Sequence, residues 1–181
     1  MIKEAAYYDK ETDGVRCKLC PHNCFIRDGA RGFCRVRRNA GQQLIADSWG
    51  ILSAVHLDPM EKKPLYHFYP GRPVLSIGSY GCNMVCKCCQ NWQISQTPVR
   101  SVNRTILPED VVESALSQSG NAGIAYTYNE PSVGFEYILE TAQLAQKKGL
   151  KNVMVSNGYI SREPLWELLT VIDAFNIDLK G

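Results

Sequence analysis

A group of cysteines is the part of this sequence best suited to chemistry. Cys82, Cys86, Cys88 and Cys89 lie within eight residues of one another. Taken as Cys82-x3-Cys86-x2-Cys89, three thiolates stand at short, unequal spacing on one loop. A tetrahedral zinc site usually takes four ligands, in pairs from separate segments, whereas three thiolates from one loop can hold a cubane iron–sulfur cluster. Such a cluster leaves one iron open to a further ligand, so the loop predicts a reactive centre.

A second set of cysteines lies near the N-terminus and supplies four more thiols: Cys17, Cys20, Cys24 and Cys34. Three interpretations of this set stay open. It could hold zinc in a small knuckle, hold an auxiliary iron–sulfur cluster that passes electrons to the first, or pack without metal. His22 lies inside the set as an alternative ligand, although a solvent-facing loop histidine is the ordinary interpretation.

Composition narrows the class of protein. The chain has 181 residues, 45% hydrophobic and 21% charged, as ordinary globular domains do. Its net charge of +2 is too small to argue for nucleic acid or an anionic membrane as a partner. The N-terminal segment lacks a signal-peptide core, and no run approaches the roughly 18 apolar residues that span a bilayer. Eight cysteines without a secretory signal therefore indicate a cytoplasmic protein whose reduced thiols bind metal or take part in redox chemistry. A disulfide scaffold is the less favoured alternative.

Short apolar strands alternate with helices in the second half of the chain. Strands are predicted at 74–77, 124–127, 152–155 and 175–179, and helices from Pro108, from an N-cap at Ser132, and over 161–169. This spacing indicates βαβ units and a parallel sheet. Polar residues follow the strands, where parallel α/β folds bind ligands. The cysteine loop is therefore expected to share one mouth with the residues that end the later strands: Asn129, Glu130, Ser156, Asn157, Asp178 and Lys180.

The segment 58–73 contains four prolines and is predicted to be a linker packed on its neighbour. The predicted domains are therefore a Cys-rich N-terminal module with this linker, residues 1–72, and an α/β core, residues 73–181.

Several motifs together resemble one family. The loop GCNMVCKCCQNW resembles the cluster motif of radical S-adenosylmethionine (SAM) enzymes. Tyr-Asn-Glu-Pro, Ser-Asn-Gly and Asn-Ile-Asp-Leu-Lys at the later strand ends resemble the branch that contains the pyruvate formate-lyase-activating enzyme. The front half, with RCKLCPHNC, GFC and DPMEKKPLYHFYPG, resembles the radical SAM member of the AmmeMemoRadiSam system.

The resemblance implies roles for individual residues. Cys82, Cys86 and Cys89 would hold a [4Fe-4S] cluster whose fourth iron chelates the amino and carboxylate groups of SAM. Glu130, with Asn129, stands where the family has a glycine-glycine-glutamate segment and would accept a hydrogen bond from the methionine amino group. The remaining strand-end residues would lie near the ligand, with the last two near its ribose and carboxylate: Ser156, Asn157, Asp178 and Lys180.

The resemblance also implies a reaction and partners. Reductive cleavage of SAM would give a 5′-deoxyadenosyl radical that abstracts hydrogen from a substrate, with no catalytic residues needed beyond the cluster ligands. A flavodoxin- or ferredoxin-like electron donor is expected, with a protein substrate or system partners, and without membrane or nucleic acid.

Two departures from the family pattern matter. Cys88 is a spare thiol that makes a Cys86-x-Cys88 ligation arithmetically possible, although the match through Gln90-Asn91-Trp92 favours Cys89. In addition, family barrels carry about six βα units, whereas this chain provides about four. We therefore expect a partial barrel. The chain would then be a fragment of a longer protein, unless another chain completes the barrel. The alternative functions are a zinc-binding interaction module and an inactive fragment that retains the cluster site.

Overall fold

The computed structural model describes residues 2–99 and 105–180. Met1 and Gly181, the outer ends of the two predicted domains, lie outside these ranges. The N-terminal part contains an antiparallel sheet of three strands and a separate hairpin of two. These strands are β1 (Tyr8–Glu11), β2 (Gly14–Cys17), β3 (Phe25–Arg27), β4 (Arg37–Ala40) and β5 (Gln43–Ala46).

The central sheet has five strands in the order β10-β9-β8-β7-β6. They are β6 (Ala54–Pro59), β7 (Pro73–Gly78), β8 (Gly123–Tyr126), β9 (Lys151–Ser156) and β10 (Ala174–Ile177). Strands β7 to β10 run parallel to one another, and β6 pairs with β7 in the antiparallel sense. The predicted α/β class with a parallel sheet is confirmed.

Four α-helices accompany the sheet in the described ranges: α1 (Trp92–Ser95), α2 (Pro108–Ser117), α3 (Phe135–Lys147) and α4 (Arg162–Leu168). Helix α2 starts at a proline, and the Asp110 carboxylate accepts a hydrogen bond from the Leu107 N–H at 3.1 Å. The prediction that Ser132 caps α3 is wrong. Ser132 lies in a 3-10 helix, Pro131–Gly134, and Gly134 takes the N-cap position instead.

Strand β6 corrects the interpretation of the linker. Residues 54–59 pair with β7 from Ala54 opposite Gly78 to Pro59 opposite Pro73, so the predicted linker begins inside the central sheet. A 3-10 helix, Met60–Lys62, follows directly. The side chains of Val55, His56 and Leu57 are all exposed, so this edge strand buries little apolar surface.

The main hydrophobic core lies between the sheet and its helices and continues into the N-terminal strands. It joins residues of β7 to β9, α2, α3 and α4 to residues of β2, β3 and β5, among them Ile124, Met154, Phe135, Leu168, Val15, Ile26 and Leu44. The other sheet face carries a smaller cluster around Met60, Ala125 and Val153. Neither described range contains a helix with both the length and the apolar character to cross a membrane.

Candidate cofactor-binding site

A cavity of about 970 Å³ lies at the carboxyl ends of the parallel strands. All three thiols of the predicted ligand set and all six predicted SAM-contacting residues line it. These are Cys82, Cys86, Cys89, Asn129, Glu130, Ser156, Asn157, Asp178 and Lys180. The structure therefore brings together residues that lie almost a hundred positions apart in the sequence, because parallel strands direct their carboxyl ends to one edge.

The cysteine loop follows β7, and a side chain from the end of β8 binds the backbone at its start. The side-chain amide of Asn129 donates to the carbonyl oxygens of Tyr80 at 3.1 Å and Gly81 at 3.0 Å. Gly81 has a φ of +86°, and a Cβ at this position would stand 2.6 Å from the carbonyl oxygen of Cys34. A side chain there would push the loop away from the N-terminal segment, so the position requires glycine.

The Cys82 sulfur receives hydrogen bonds from two segments. The backbone N–H of Met84 donates to it at 3.3 Å, and the side-chain amide nitrogen of Asn157 lies 3.9 Å away. Burial raises the pKa of the Cys82 thiol to about 11, and the charges of Glu130, Cys86 and Cys89 add to this effect. The protein alone thus disfavours the thiolate, and a bound cation such as cluster iron would supply the missing compensation.

Cys88 differs from its neighbours in exposure. It lines the same cavity but is exposed, whereas Cys82, Cys86 and Cys89 are partly buried. The backbone N–H of Cys89 donates to the Cys86 carbonyl oxygen at 3.3 Å, which closes a tight turn between these two residues. This arrangement fits the predicted choice of Cys89, and the ligand assignment stays a prediction.

Glu130 connects the ends of β8 and β9. Its carboxylate accepts from the Ser156 hydroxyl at 2.7 Å, the Asn157 N–H at 2.8 Å and the Ser132 N–H at 3.0 Å. Burial raises its pKa, while these donors oppose the rise. Glu130, the residue predicted to bind the methionine amino group of SAM, thus already accepts three hydrogen bonds from the protein.

Asp178 and Lys180 form an ion pair at the rim of the cavity. The Lys180 ammonium lies 2.8 Å from the Asp178 carboxylate, and both side chains are about 40% exposed. Their hydrogen-bonding groups remain accessible from the cavity, as a ligand-binding role requires.

Sequence reasoning missed a cluster of charged residues at the end of β6 and just after it. Asp58 accepts from Lys63 at 2.8 Å, from Lys62 at 3.0 Å and from the Tyr128 hydroxyl at 2.7 Å, and all four residues line the cavity. Lys63 is only 2% exposed. Burial opposes ionisation of Asp58, but the hydrogen bonds from Lys63, Tyr128 and Lys62 lower its pKa overall. The available sequence signal for this cluster was the run of charged residues in the segment that was predicted to be a linker.

The N-terminal cysteines come together in a second place. Cys17, Cys20, Cys24 and Cys34 line a cavity of about 10 Å³. His22 is engaged elsewhere, since its ring stacks on Phe33 and its Nε2 contacts the Asn83 carbonyl at 2.8 Å. Among residues 2–99 and 105–180, no three His, Cys, Asp or Glu side chains already stand at ion-binding positions. Zinc therefore has no direct support from this geometry.

For the Cys82 loop, the same finding is compatible with a multi-iron group. Thiolates on one zinc lie within about 4 Å of one another, because each Zn–S bond is about 2.3 Å. The three thiols of this loop line a cavity of about 970 Å³, which has room for a cluster with several irons.

The sheet is mostly parallel, and the cysteine loop and the polar strand ends surround one cavity at the edge where parallel α/β folds bind ligands. The Radical SAM superfamily matches residues 76–181, which is more than half of the chain, so the chain belongs to this superfamily. Membership implies an enzyme that uses a [4Fe-4S] cluster and SAM.

Two proteins of Methanocaldococcus jannaschii are similar to nearly the whole chain. The uncharacterized protein MJ0808 is 46% identical over 99% of this chain and 54% of its own length. The uncharacterized protein MJ0674 is 27% identical over 91% of this chain and 45% of its own length. The chain thus spans about half the length of the curated relatives that it matches.

Proposed function

We propose that this chain is the cluster- and SAM-binding part of a radical SAM enzyme, with a partial (βα) barrel as its core. Cys82, Cys86 and Cys89 would hold a [4Fe-4S] cluster. The observation that carries the proposal is that these three thiols open into the same 970 Å³ cavity as the polar ends of β8, β9 and β10. A loop built only to bind a structural ion has no need of such a cavity.

When bound, the cluster and SAM supply a one-electron reductive cleavage that yields a 5′-deoxyadenosyl radical for hydrogen abstraction. The protein's part is to bind and orient these groups. Asn129 fixes the loop that carries the thiols, and the amide of Asn157 faces the Cys82 sulfur. Hydrogen bonds to ligand sulfurs are one of the means by which proteins tune cluster potentials.

Six residues are proposed to contact SAM: Asn129, Glu130, Ser156, Asn157, Asp178 and Lys180. Glu130 has one carboxylate oxygen, Oε2, that accepts a single protein hydrogen bond, from Asn157. A carboxylate oxygen has a second lone pair, so Oε2 retains capacity for an ammonium donor. Glu130 would therefore combine two tasks, the connection of β8 to β9 and the recognition of a cationic amino group.

The finer assignment rests on the motif resemblance. We infer an enzyme of the pyruvate formate-lyase-activating type, related to the radical SAM member of the AmmeMemoRadiSam system. A flavodoxin- or ferredoxin-like protein would donate the electron, and a protein or system partner would be the substrate.

The test is to reconstitute the chain anaerobically with iron and sulfide and to reduce it with dithionite. We expect about four irons per chain at this loop, a reduced-cluster spin signal that changes on addition of SAM, and formation of 5′-deoxyadenosine. Cys82→Ala should lose the iron. A colourless protein that holds zinc at the loop would favour the interaction module. A cluster that binds without responding to SAM would favour the inactive fragment.

A further inference from the structure

The four N-terminal cysteines form a knuckle on three segments that the fold brings together. Cys17 ends β2, Cys24 directly precedes β3, and the Cys17 N–H donates to the Cys24 carbonyl oxygen at 2.9 Å. Between them, the Asn23 N–H donates to the Cys20 carbonyl oxygen at 3.0 Å and closes a turn. Cys34 joins from the segment before β4 and lines the same small cavity. The fold thus brings four thiols to the wall of one small cavity.

A backbone amide faces one sulfur of this knuckle. The Phe33 N–H donates to the Cys24 sulfur at 3.5 Å, and the Cys82 sulfur receives the same type of bond from Met84.

Arg37 provides a buried positive charge beside these thiols. It is 1% exposed, lines their cavity, and places Nη1 4.0 Å from the Cys17 sulfur. Its Nη2 pairs with Glu136 on α3, but its Nε has no hydrogen-bond partner within the described parts of the chain. A buried donor without a partner costs about 1–3 kcal/mol. Its presence next to four thiols is the expected sign of an anionic group that belongs in the cavity.

The small size of the cavity favours a single ion over a four-iron cluster. About 10 Å³ is close to the smallest space that holds one water molecule. Four cysteine thiolates are a common ligand set of structural zinc. A zinc ion with four thiolates carries a net charge of −2. Arg37 is already paired with Glu136, so it would act on that charge as a nearby hydrogen-bond donor, through its Nη1 and its unpartnered Nε.

We propose that Cys17, Cys20, Cys24 and Cys34 bind one Zn²⁺ ion as thiolates, with Arg37 as a buried hydrogen-bond donor beside them. The cysteine side chains turn inward on the ion, since they do not already stand at ion-binding positions. The site is structural: it joins β2, β3 and the segment before β4, and through Arg37 and Glu136 it reaches α3. The proposal does not depend on the radical SAM function.

The first experiment is a Co²⁺ titration of the full chain carrying Cys86→Ser and Cys89→Ser, which removes two thiols of the other loop. We expect one equivalent of Co²⁺ with intense thiolate charge-transfer and tetrahedral d–d absorption, displaced by one equivalent of Zn²⁺. Adding Cys34→Ser should abolish this spectrum, whereas adding Cys88→Ser should leave it unchanged. Absence of cobalt binding by the reduced protein, or a sulfide-containing iron cluster at these four cysteines, would overturn the proposal.

The second experiment tests the donor role of Arg37. Arg37→Met combined with Glu136→Met replaces the buried pair by apolar side chains, an exchange that such pairs often tolerate, and removes the donor beside the thiolates. Zinc affinity, measured by competition with a chromophoric chelator, should fall about tenfold, which corresponds to about 1.4 kcal/mol. The control is Arg38→Met, which removes a more exposed arginine that pairs with Asp47. Equal zinc affinity in the wild type and the double variant would exclude Arg37 as a donor to the bound thiolates.

Discussion

The Tyr128 hydroxyl donates to Oδ2 of Asp58 at 2.7 Å, which connects the end of β8 to the edge strand β6. Tyr128 adopts a left-handed backbone conformation, φ +72°, that is uncommon for a bulky side chain. Strained residues of this kind persist only where surrounding contacts hold them. Asp58 therefore fixes Tyr128 as part of the cavity wall.

The Asp58 group allows a first prediction, on stability. Asp58→Asn leaves the buried ammonium of Lys63 unpaired, so we expect a loss of about 3 kcal/mol in the free energy of unfolding at pH 7. The pKa of Asp58 is lowered in the fold, so its stabilisation is present above the unfolded value of 3.8 and is lost as the pH falls below it. Urea denaturation at pH 7 and near pH 3 should show the difference between wild type and variant shrinking on acidification.

Lys62→Met is the matched control for Asp58→Asn, because Lys62 also pairs with Asp58 but is 66% exposed in its side chain. Exposed ion pairs contribute at most about 1 kcal/mol, so this variant should be close to wild type. A gap between wild type and Asp58→Asn that stays constant over the whole pH range would contradict the linkage argument.

A second prediction concerns Glu130, whose pKa is raised above the ordinary value of 4.5 mainly by burial. A carboxyl with a raised pKa in the fold contributes stability that is complete below the unfolded pKa and declines as the pH rises through the folded value. We therefore expect the unfolding free energy of wild type, relative to Glu130→Gln, to decrease between pH 4 and pH 7.5. Denaturant titrations at several pH values measure this trend.

Glu113→Gln, on the exposed side of α2, serves as the control for Glu130→Gln. Its difference from wild type should stay small across the same pH range. If wild type instead gained stability relative to Glu130→Gln as the pH rose, the donors from Ser132, Ser156 and Asn157 would outweigh burial.

A third prediction separates two neighbouring cysteines. Cys89→Ala should reduce bound iron after anaerobic reconstitution to near zero, because it removes one of three cluster ligands. Cys88→Ala should retain the iron content and the spin signal of the wild type, because the exposed Cys88 thiol is not assigned as a ligand. Iron and sulfide analysis of both variants decides between Cys86-x2-Cys89 and Cys86-x-Cys88. The reverse pattern of iron loss would reassign the third ligand to Cys88.

A fourth prediction compares two glycines with positive φ. Gly81→Ala places a Cβ 2.6 Å from the Cys34 carbonyl oxygen, whereas a Cβ on Gly120 meets nothing within 4 Å. Both variants lose about 1 kcal/mol to backbone strain, and Gly81→Ala should lose about 2 kcal/mol more because the loop must shift. Unfolding free energies from urea titration provide the comparison. Equal losses in the two variants would show that the loop is free to move at Gly81.

The convergence of the site was predictable because it depends on topology. Apolar runs at 74–77 and 152–155 correspond to β7 and β9, and once strands are parallel, their trailing residues share one edge. Side-chain partners were less accessible to sequence reasoning. The hydrogen bonds that Ser156 and Asn157 donate to Glu130 depend on the spacing of adjacent strands. The hydrogen bond from Tyr128 to Asp58 depends on strand β6 and on the left-handed backbone of Tyr128.

Strand β6 was not predictable from its side chains, because its place is set by backbone pairing to β7. Sheet edges of this kind carry weak sequence patterns, since much of an edge strand faces solvent. The domain boundary predicted near residue 72 stays a prediction. The core shared by Val15, Ile26 and Phe135 connects residues on both sides of it.

The pairing of Arg37 with Glu136 has a consequence for synthesis of the chain. The two residues are 99 positions apart, so the guanidinium has no carboxylate partner until α3 has been synthesised. Contacts between distant residues require a long loop to close before they stabilise anything. The ion pair that joins the cysteine-rich segment to α3 can therefore form only after the central part of the chain has been made.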